Sequence, residues 1–571
     1  MRTLGLCFSG HGSSICLVED GRVVSAMNLE RLVREKFALA ALPGDVERLG
    51  EIMVHGFHYD HAPHFFDFYD VFPEMLESVS GETDIRKAGI DLVVKTKDNI
   101  QPQPWNAEAW AAFLAYFGDT RLCFDLEHHL CHAYQAYLAS PFEDAAVLTI
   151  DGTGEGLERL GGSSISTSLC VGEGNRIRVL DEVRAPSTVG GMYSITTKHL
   201  GFRDEQEGNT MALASFGTDR FYRRLQPGSI ELKEGGLYDM AFKPHFAGLV
   251  FQDRILEFCP PRKRDEPITD VHKDLAWGIQ AAAEEIIVHV TRGLHARTGK
   301  RRLAMAGGVA LNCVANAKIL RETPFEELYV MPNAGDRGLA VGAALFGHHV
   351  LLGGRERHPL RHDYLGRTYS DAEIVRDLRS SPGIEFERLP DIASVAAALI
   401  AQGRIIGWVQ GGAEFGPRAL GHRSILADPR TPTSKERLDR EIKRREWFRP
   451  YAPSVLAERA DEYFEMLGPS PYMLLAVNTR PAAREKVPGI VHVDGSARVQ
   501  TVDRAIEPLY HRLISKFDEL TGIPLVLNTS FNGYGEPMVE TARDAVKALH
   551  SMSLDALAVG DYLVWKAGAR P

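Results

Sequence analysis

The chain has 571 residues, 44% of them hydrophobic and 25% charged, with a formal net charge of −11. This is a globular composition with room for two domains or more, and its acidity argues against bulk binding to nucleic acid or to an anionic membrane. No apolar run approaches the roughly 18–20 residues that span a bilayer, and the N-terminal MRTLGLCFSGHGSS lacks a signal-peptide core. Seven scattered cysteines, none in C-x-x-C spacing, read as reduced thiols of a cytoplasmic protein.

In chain order, residues 3–8 predict a strand. GHGSS turns into ICLVEDGRVVSAM, two strand-like runs joined by Asp20-Gly21, a hairpin signal. A Gly/Ser turn between the first strands of a hairpin suits a phosphate, and His11 sits in it. NLERLVREKF (28–37) reads as a charged helix or loop carrying Lys36, a candidate to meet an anion. HGFHYDHAPHFFDFYD (55–70) holds four histidines and six Phe or Tyr residues without clean periodicity. It reads as an aromatic wall for an acceptor or as a subunit contact.

EHHLCHAYQAYLAS (127–140) predicts a helix with His128 and His132 four apart on one face. The buried strand 147–150 then delivers Asp151 into the Gly-rich turn DGTGEG. A helical histidine pair also occurs in ordinary cores; the carboxylate at the strand end favours a ligand set, one that suits zinc, iron or manganese.

Further on, SSISTSLCVGEGNRIRVLDEV predicts two strands around Gly172–Gly174. The EGN turn before MALASFG predicts a loop leading to a helix, and 272–298 predicts a long helix stopped by Gly299. RLAMAGGVALNCVANAKIL (302–320) runs from a strand through Gly307-Gly308 into a helix with Asn312 one turn in. LYVMPNAGDRGLAVGAALFG (328–347) repeats the scheme with Asp336 in its loop. Glycines and acids at strand-to-helix junctions favour nucleotide binding.

A polar linker is expected over 353–366. A second α/β pattern follows, with strands expected at 404–410, 471–477 and 496–502, a helix near 507–520, and a last helix in TARDAVKALHSM. No internal repeat is visible. Residues 404–449 hold eleven Lys and Arg against six Asp and Glu, a basic island suited to a small polyanion. LNTSFN places Asn528 and Ser530 at a strand end as neutral donors.

Taken together, HHLCHA, IDGTGE, AGGVALN, GPRALGHRSILADP, EWFRPYAPSVL and LNTSFNGYGEP resemble the O-carbamoyltransferase family of antibiotic and nodulation-factor biosynthesis. The resemblance spans nearly the whole chain. It implies an actin-like (ASKHA, Kae1-like) α/β domain over 1–355 and a YrdC-like α/β domain over 367–571. It implies an enzyme that uses ATP and carbamoyl phosphate, forms carbamoyl-adenylate in the second domain, and passes the carbamoyl group to a hydroxyl in the first. His128, His132, Asp151 and Asp336 match the family's metal ligands, for Fe2+ or another divalent ion. His11, Lys36 and Asn312 match positions lining the adenylate or the acceptor. Arg418, Lys443, Arg449, Arg498, Asn528 and Ser530 match the anion and nucleotide grip.

The chain departs from the family pattern at HGSS, where an acid is usual, at EGNTMALA, where Asn209 replaces a lysine, and at REK (34–36). The implied acceptor is a small-molecule hydroxyl on a sugar, nucleoside, polyketide or alkaloid, with no nucleic acid or membrane partner; a homodimer stays open. Two alternatives are a tRNA threonylcarbamoyladenosine-type transferase and a non-catalytic actin-fold nucleotide-binding module. A zinc peptidase is disfavoured because H-E-x-x-H is absent.

Overall fold

The computed structural model describes residues 1–9, 12–36, 38–41, 65–96, 112, 114–154, 162–203, 205–243 and 248–571. The chain forms two compact units. The N-terminal unit is Met1–Leu29 with Phe37–Leu360, and the C-terminal unit is Glu30–Lys36 with Arg361–Pro571.

The N-terminal unit is built on two five-stranded sheets. The first contains β1 (Arg2–Ser9), β2 (Gly12–Glu19), β3 (Arg22–Asn28), β4 (Leu92–Thr96) and β5 (Arg121–Leu126), in the order β3-β2-β1-β4-β5. The second contains β6 (Asp144–Ile150), β7 (Ile165–Glu173), β8 (Arg176–Arg184), β9 (Arg302–Ala306) and β10 (Glu327–Val330), in the order β8-β7-β6-β9-β10. Strand directions also agree: three antiparallel strands, then two strands parallel to the first. This is an internal repeat, contrary to the sequence reading. A sheet constrains only the burial and length of its strands, so the duplication survives in topology without shared residues. The same meander used twice is the architecture expected of an actin-like core.

Residues Asp20 (φ 45°) and Gly21 (φ 81°) form the β2–β3 turn, both left-handed as a two-residue hairpin of type I′ requires. Helix α1 (His128–Ala139) follows β5. Helix α2 (Asp270–Thr298) precedes β9 and ends at Gly299, whose φ of 62° closes its last turn. Helix α3 (Cys313–Glu322) lies between β9 and β10, and α4 (Leu339–Phe346) closes the second repeat as α1 closes the first. The two closing helices pack together, and α4 lies on β1. Both contacts depend on glycine. A Cβ on Gly342 would stand 2.4 Å from the Cys131 carbonyl oxygen, and one on Gly5 would stand 1.9 Å from that of Ala340.

Several local expectations shift. EGN belongs to the helix Glu207–Ala214 instead of a turn before it. Asn312 is the N-cap of α3, because a 3-10 turn over Gly308–Leu311 comes first. Phe68 is core, its ring meeting Phe8, Phe72, Tyr116 and Phe117. Of the histidine-rich stretch 55–70, residues 55–64 lie outside the described residues.

The C-terminal unit is mixed α/β, as a YrdC-like domain is expected to be. Its eight-stranded sheet contains β11 (Ile384–Arg388), β12 (Ile406–Val409), β13 (Arg423–Ala427), β14 (Ala452–Leu456), β15 (Gln500–Val502), β16 (Leu525–Ser530), β17 (Ala556–Val559) and β18 (Tyr562–Lys566). The order is β11-β18-β17-β12-β13-β16-β14-β15. Of 471–477 only the end is strand, within Ala476–Asn478, and the 496–502 run divides between two sheets.

Residues Glu30–Lys36 are held in this unit by two arginines. Arg31, 4% exposed, donates Nη2 to the carbonyls of Glu414 (3.4 Å) and Gly416 (3.5 Å). Arg34 donates to the carbonyls of Met538 and, at 3.1 Å, Pro537, and faces Asp544 at 3.6 Å. Among the described residues no disulfide forms. Among the described residues no helix is long and apolar enough to cross a membrane.

Candidate functional site

Four side chains from three elements of the N-terminal unit converge. His128 opens α1 and His132 lies one turn later, so both rings leave the same face. Asp151 is the first residue past β6, and its Oδ1 accepts the Gly308 N–H at 2.8 Å. Asp336 begins the 3-10 turn ahead of α4. One nitrogen or oxygen from each lies within 4.8 Å of the others. His128 Nε2 is 3.2 Å from Asp151 Oδ2 and 3.5 Å from Asp336 Oδ1; for His132 Nε2 the distances are 3.6 and 3.5 Å.

The cluster is electrostatically tight. Burial works against charge on His128 and His132, yet the two carboxylates outweigh it and raise both imidazoles above their ordinary range. Burial likewise opposes charge on Asp151 and Asp336, and the imidazoles still hold both below the usual carboxylate range. His129 faces elsewhere, with Nδ1 2.9 Å from Thr149 Oγ1; burial first, then the charge of His128, pushes it down to about 3. It is a neutral core histidine.

Of the remaining candidates in this unit, His11 lies outside the described residues. Asn312 is committed locally: its Oδ1 caps Ala315 N at 3.1 Å and its Nδ2 donates to Gln280 Oε1 at 2.9 Å.

Lys36 belongs to the C-terminal unit, where a cationic cluster forms. Lys443 ends a π-helical turn, Leu438–Lys443, after which Arg444 takes a φ of 46° and turns the chain. Its Nζ donates to the Ser530 carbonyl (2.7 Å), the Asn532 carbonyl (3.0 Å) and Asn532 Oδ1 (2.8 Å). Burial, followed by the charges of Arg445, Arg449 and Lys36, drives Lys443 well below the ordinary lysine range. Burial, with Arg445 and Arg498 adding to it, pushes Arg449 down to about 10. Arg445 is fixed flat over Tyr451, 3.9 Å from the ring centre. Asp439 lies 3.4 Å from Arg445 and Glu446 3.6 Å from Arg449, yet the cations outnumber these acids, which favours an anion.

Two other grip candidates sit differently. Asn528, 1% exposed, donates to the Ala419 carbonyl (3.1 Å) and Ser454 Oγ (3.0 Å) inside the sheet. Arg418 is half-buried on the loop joining β12 to β13. Sequence reasoning did not single out Asn532 within LNTSFNGYGEP, counted Arg445 only as part of the basic island 404–449, and missed Gln135, three residues past His132.

Residues 2–345 match the family model Carbamoyltransferase N-terminus, and residues 397–566 match Carbamoyltransferase C-terminus. The chain belongs to the carbamoyltransferase family. The chain is 41% identical to the nodulation protein NolNO of Sinorhizobium fredii over 461 residues, 79% of its own length and 65% of the relative's. It therefore spans just under two thirds of that protein. It is 38% identical to the nodulation protein NolO of Bradyrhizobium diazoefficiens over 453 residues, 78% and 79% of the two chains. An uncharacterized Synechocystis protein, sll1178, is 33% identical over 606 residues, 99% and 96% of the two.

The four-residue cluster fits a divalent cation. Two imidazoles and two carboxylates offer N and O donors to one point. With the imidazoles neutral they leave two buried negative charges to balance. Among the described residues His132 Nε2 is buried without a hydrogen-bond partner, as an atom reserved for a metal would be.

Proposed function

We propose that this carbamoyltransferase makes carbamoyl-adenylate from carbamoyl phosphate and ATP and transfers the carbamoyl group to a hydroxyl of a small-molecule natural product. The observation that carries the reading is the presence of two chemically distinct sites, a His/Asp cluster on one unit and a Lys/Arg cluster on the other. Likeness to nodulation proteins favours a small-molecule acceptor.

Lys443, Arg445, Arg449 and Arg498 are the charges that would hold carbamoyl phosphate and the ATP phosphates, with arginine forks matching phosphate oxygens in pairs. Water releases phosphate from carbamoyl phosphate, and the resulting carbamate displaces pyrophosphate from ATP to give carbamoyl-adenylate. Attack by the acceptor hydroxyl then expels AMP and a proton. Asn532 and Ser530 keep the Lys443 ammonium aimed, since Lys443 bonds both. In the N-terminal unit His128, His132, Asp151 and Asp336 would hold a divalent ion, Fe2+ by family resemblance. Such an ion supplies a Lewis acid near the group being transferred. Asp151, anchored by the Gly308 amide, keeps its second oxygen directed at the cluster.

The test separates the two half-reactions. His128→Ala and Asp151→Ala are expected to keep carbamoyl-phosphate-dependent pyrophosphate release and to lose carbamoylation of the acceptor by mass spectrometry. Arg449→Ala is expected to lose both and to regain transfer when given preformed carbamoyl-adenylate. Loss of pyrophosphate release in a folded His128→Ala protein would place adenylation at the His/Asp cluster and end this division of labour.

A further inference from the structure

A histidine that binds a metal through Nε2 must carry its proton on Nδ1, and something must hold that proton in place. On α1 the residue three positions beyond His132 is Gln135, which therefore returns to the same face. It is 0% exposed, so water does not compete for its amide. Gln135 Nε2 lies 2.5 Å from the carbonyl oxygen of Asn333. A carbonyl only accepts, so the NH2 group must point there and Oε1 must point the other way. Oε1 lies 2.9 Å from His132 Nδ1. That oxygen also only accepts, so Nδ1 must be the donor. The chain of donors and acceptors leaves His132 Nε2 as the atom turned to Asp151 and Asp336.

The same amide reaches a second ligand. Asn333 lies on the loop between β10 and Asp336, so Gln135 ties the histidine helix to the segment that presents Asp336. Gly338 makes room for this tie: a Cβ there would stand 2.0 Å from Gln135 Nε2 and 1.9 Å from the Asn333 oxygen.

We propose that Gln135 is a positioning residue of the metal centre, fixing His132 as an Nε2 ligand and setting the Asp336 loop against it. The proposal rests on the reading of the four-residue cluster as a metal centre. The probe is Co2+ alone, titrated into metal-stripped full-length protein and followed by its visible absorption and by chelator competition. Gln135→Leu, which removes the acceptor, is expected to weaken Co2+ about 10–100-fold and to change the absorption spectrum. Gln135→Glu, which restores an acceptor to Nδ1 but loses the NH2 donor to the Asn333 carbonyl, is expected to recover only the part of that loss that belongs to His132. Equal losses in both variants would mean that Gln135 does not act through His132 Nδ1, and a Leu variant with wild-type affinity and spectrum would overturn the role outright.

A measurement on the unaltered protein avoids any folding defect. In [15N]histidine-labelled wild type loaded with Zn2+, His132 is expected to show an exchange-protected proton on Nδ1; a proton on Nε2 would overturn the proposal. Wild type that binds neither ion would remove the metal centre itself. Metal held equally well by wild type and Gln135→Leu would remove only the role of Gln135.

Discussion

Lys443 carries its ammonium where burial and three other cations oppose it, which holds its pKa well below the ordinary lysine range. Below its depressed pKa both folded and unfolded states are protonated, and the cost of the buried charge is fully present. As pH rises from there toward 10.5, the folded state sheds its proton first, so the unfolded state binds more protons and stability rises. An anion bound at the cluster restores the proton. Titration of inorganic phosphate by calorimetry at mildly alkaline pH is therefore expected to show proton uptake, as a heat that varies with the ionisation enthalpy of the buffer. Equal heats in two such buffers would detach Lys443 from anion binding. At this scale the sequence was legible wherever a local spacing carried the chemistry. His128 and His132 announce themselves by four-residue spacing, and Asp151 by its glycines. Asp336 was noted in its strand-to-helix loop, but its place among the ligands was reached only through family resemblance. Gln135 gave no signal because its meaning depends on Asn333, which only the tertiary fold brings to it.

Among the elements, the pairing of α1 with α4 governs the cluster, since each helix start presents a ligand or lies beside one. Gly342→Ala would push Cβ into the Cys131 carbonyl, with Cys131 Sγ and Gln135 Cβ each at 3.0 Å and no flexible neighbour to yield. It is expected to cost about 1–3 kcal/mol by overpacking, read as a lower Tm, with a parallel loss of metal content. Unchanged metal retention in a destabilised variant would show that the centre tolerates movement of these helices. Helices and hairpins were largely readable, because apolar period, Asp-Gly and terminal glycines are local signals. Boundaries failed where tertiary hydrogen bonds decide them, as at Asn312, whose amide prefers a cap and Gln280 to a place inside the helix. The segment Glu30–Lys36 is a separate case: Arg34→Ala removes charge-assisted bonds to Pro537 and Met538 and the approach to Asp544. It is expected to destabilise the C-terminal unit by about 1.5–3 kcal/mol. Amide hydrogen exchange in 30–36 and 530–544 is the measurement, and unaltered protection would show that Arg34 does not hold the segment.

For the molecule as a whole, the C-terminal unit draws seven of its residues from the start of the chain. A fragment comprising 361–571 would keep its sheet but lack Arg31, leaving the Glu414 and Gly416 carbonyls without that partner. It is expected to unfold at lower urea than the same unit in the intact protein, and a synthetic peptide covering 29–37 is expected to raise its midpoint. A fragment as stable as the intact unit would make the segment an ornament. The duplicated sheet of the N-terminal unit escaped the sequence for the reason that strands of any apolar sequence can occupy one topology. The seven-residue detour escaped it because composition says nothing about which distant partner a charged helix will find. That detour also has a consequence in time. On a ribosome adding about 5–20 residues per second, Arg31 and Arg34 emerge roughly half a minute to two minutes before the last strand that completes their destination. Throughout that interval the nascent chain carries a charged segment with nowhere to dock, between strands that already have partners. A gene cut at the boundary near residue 360 would make this delay permanent, since one product would lack a piece it needs and the other would carry a piece it has no use for.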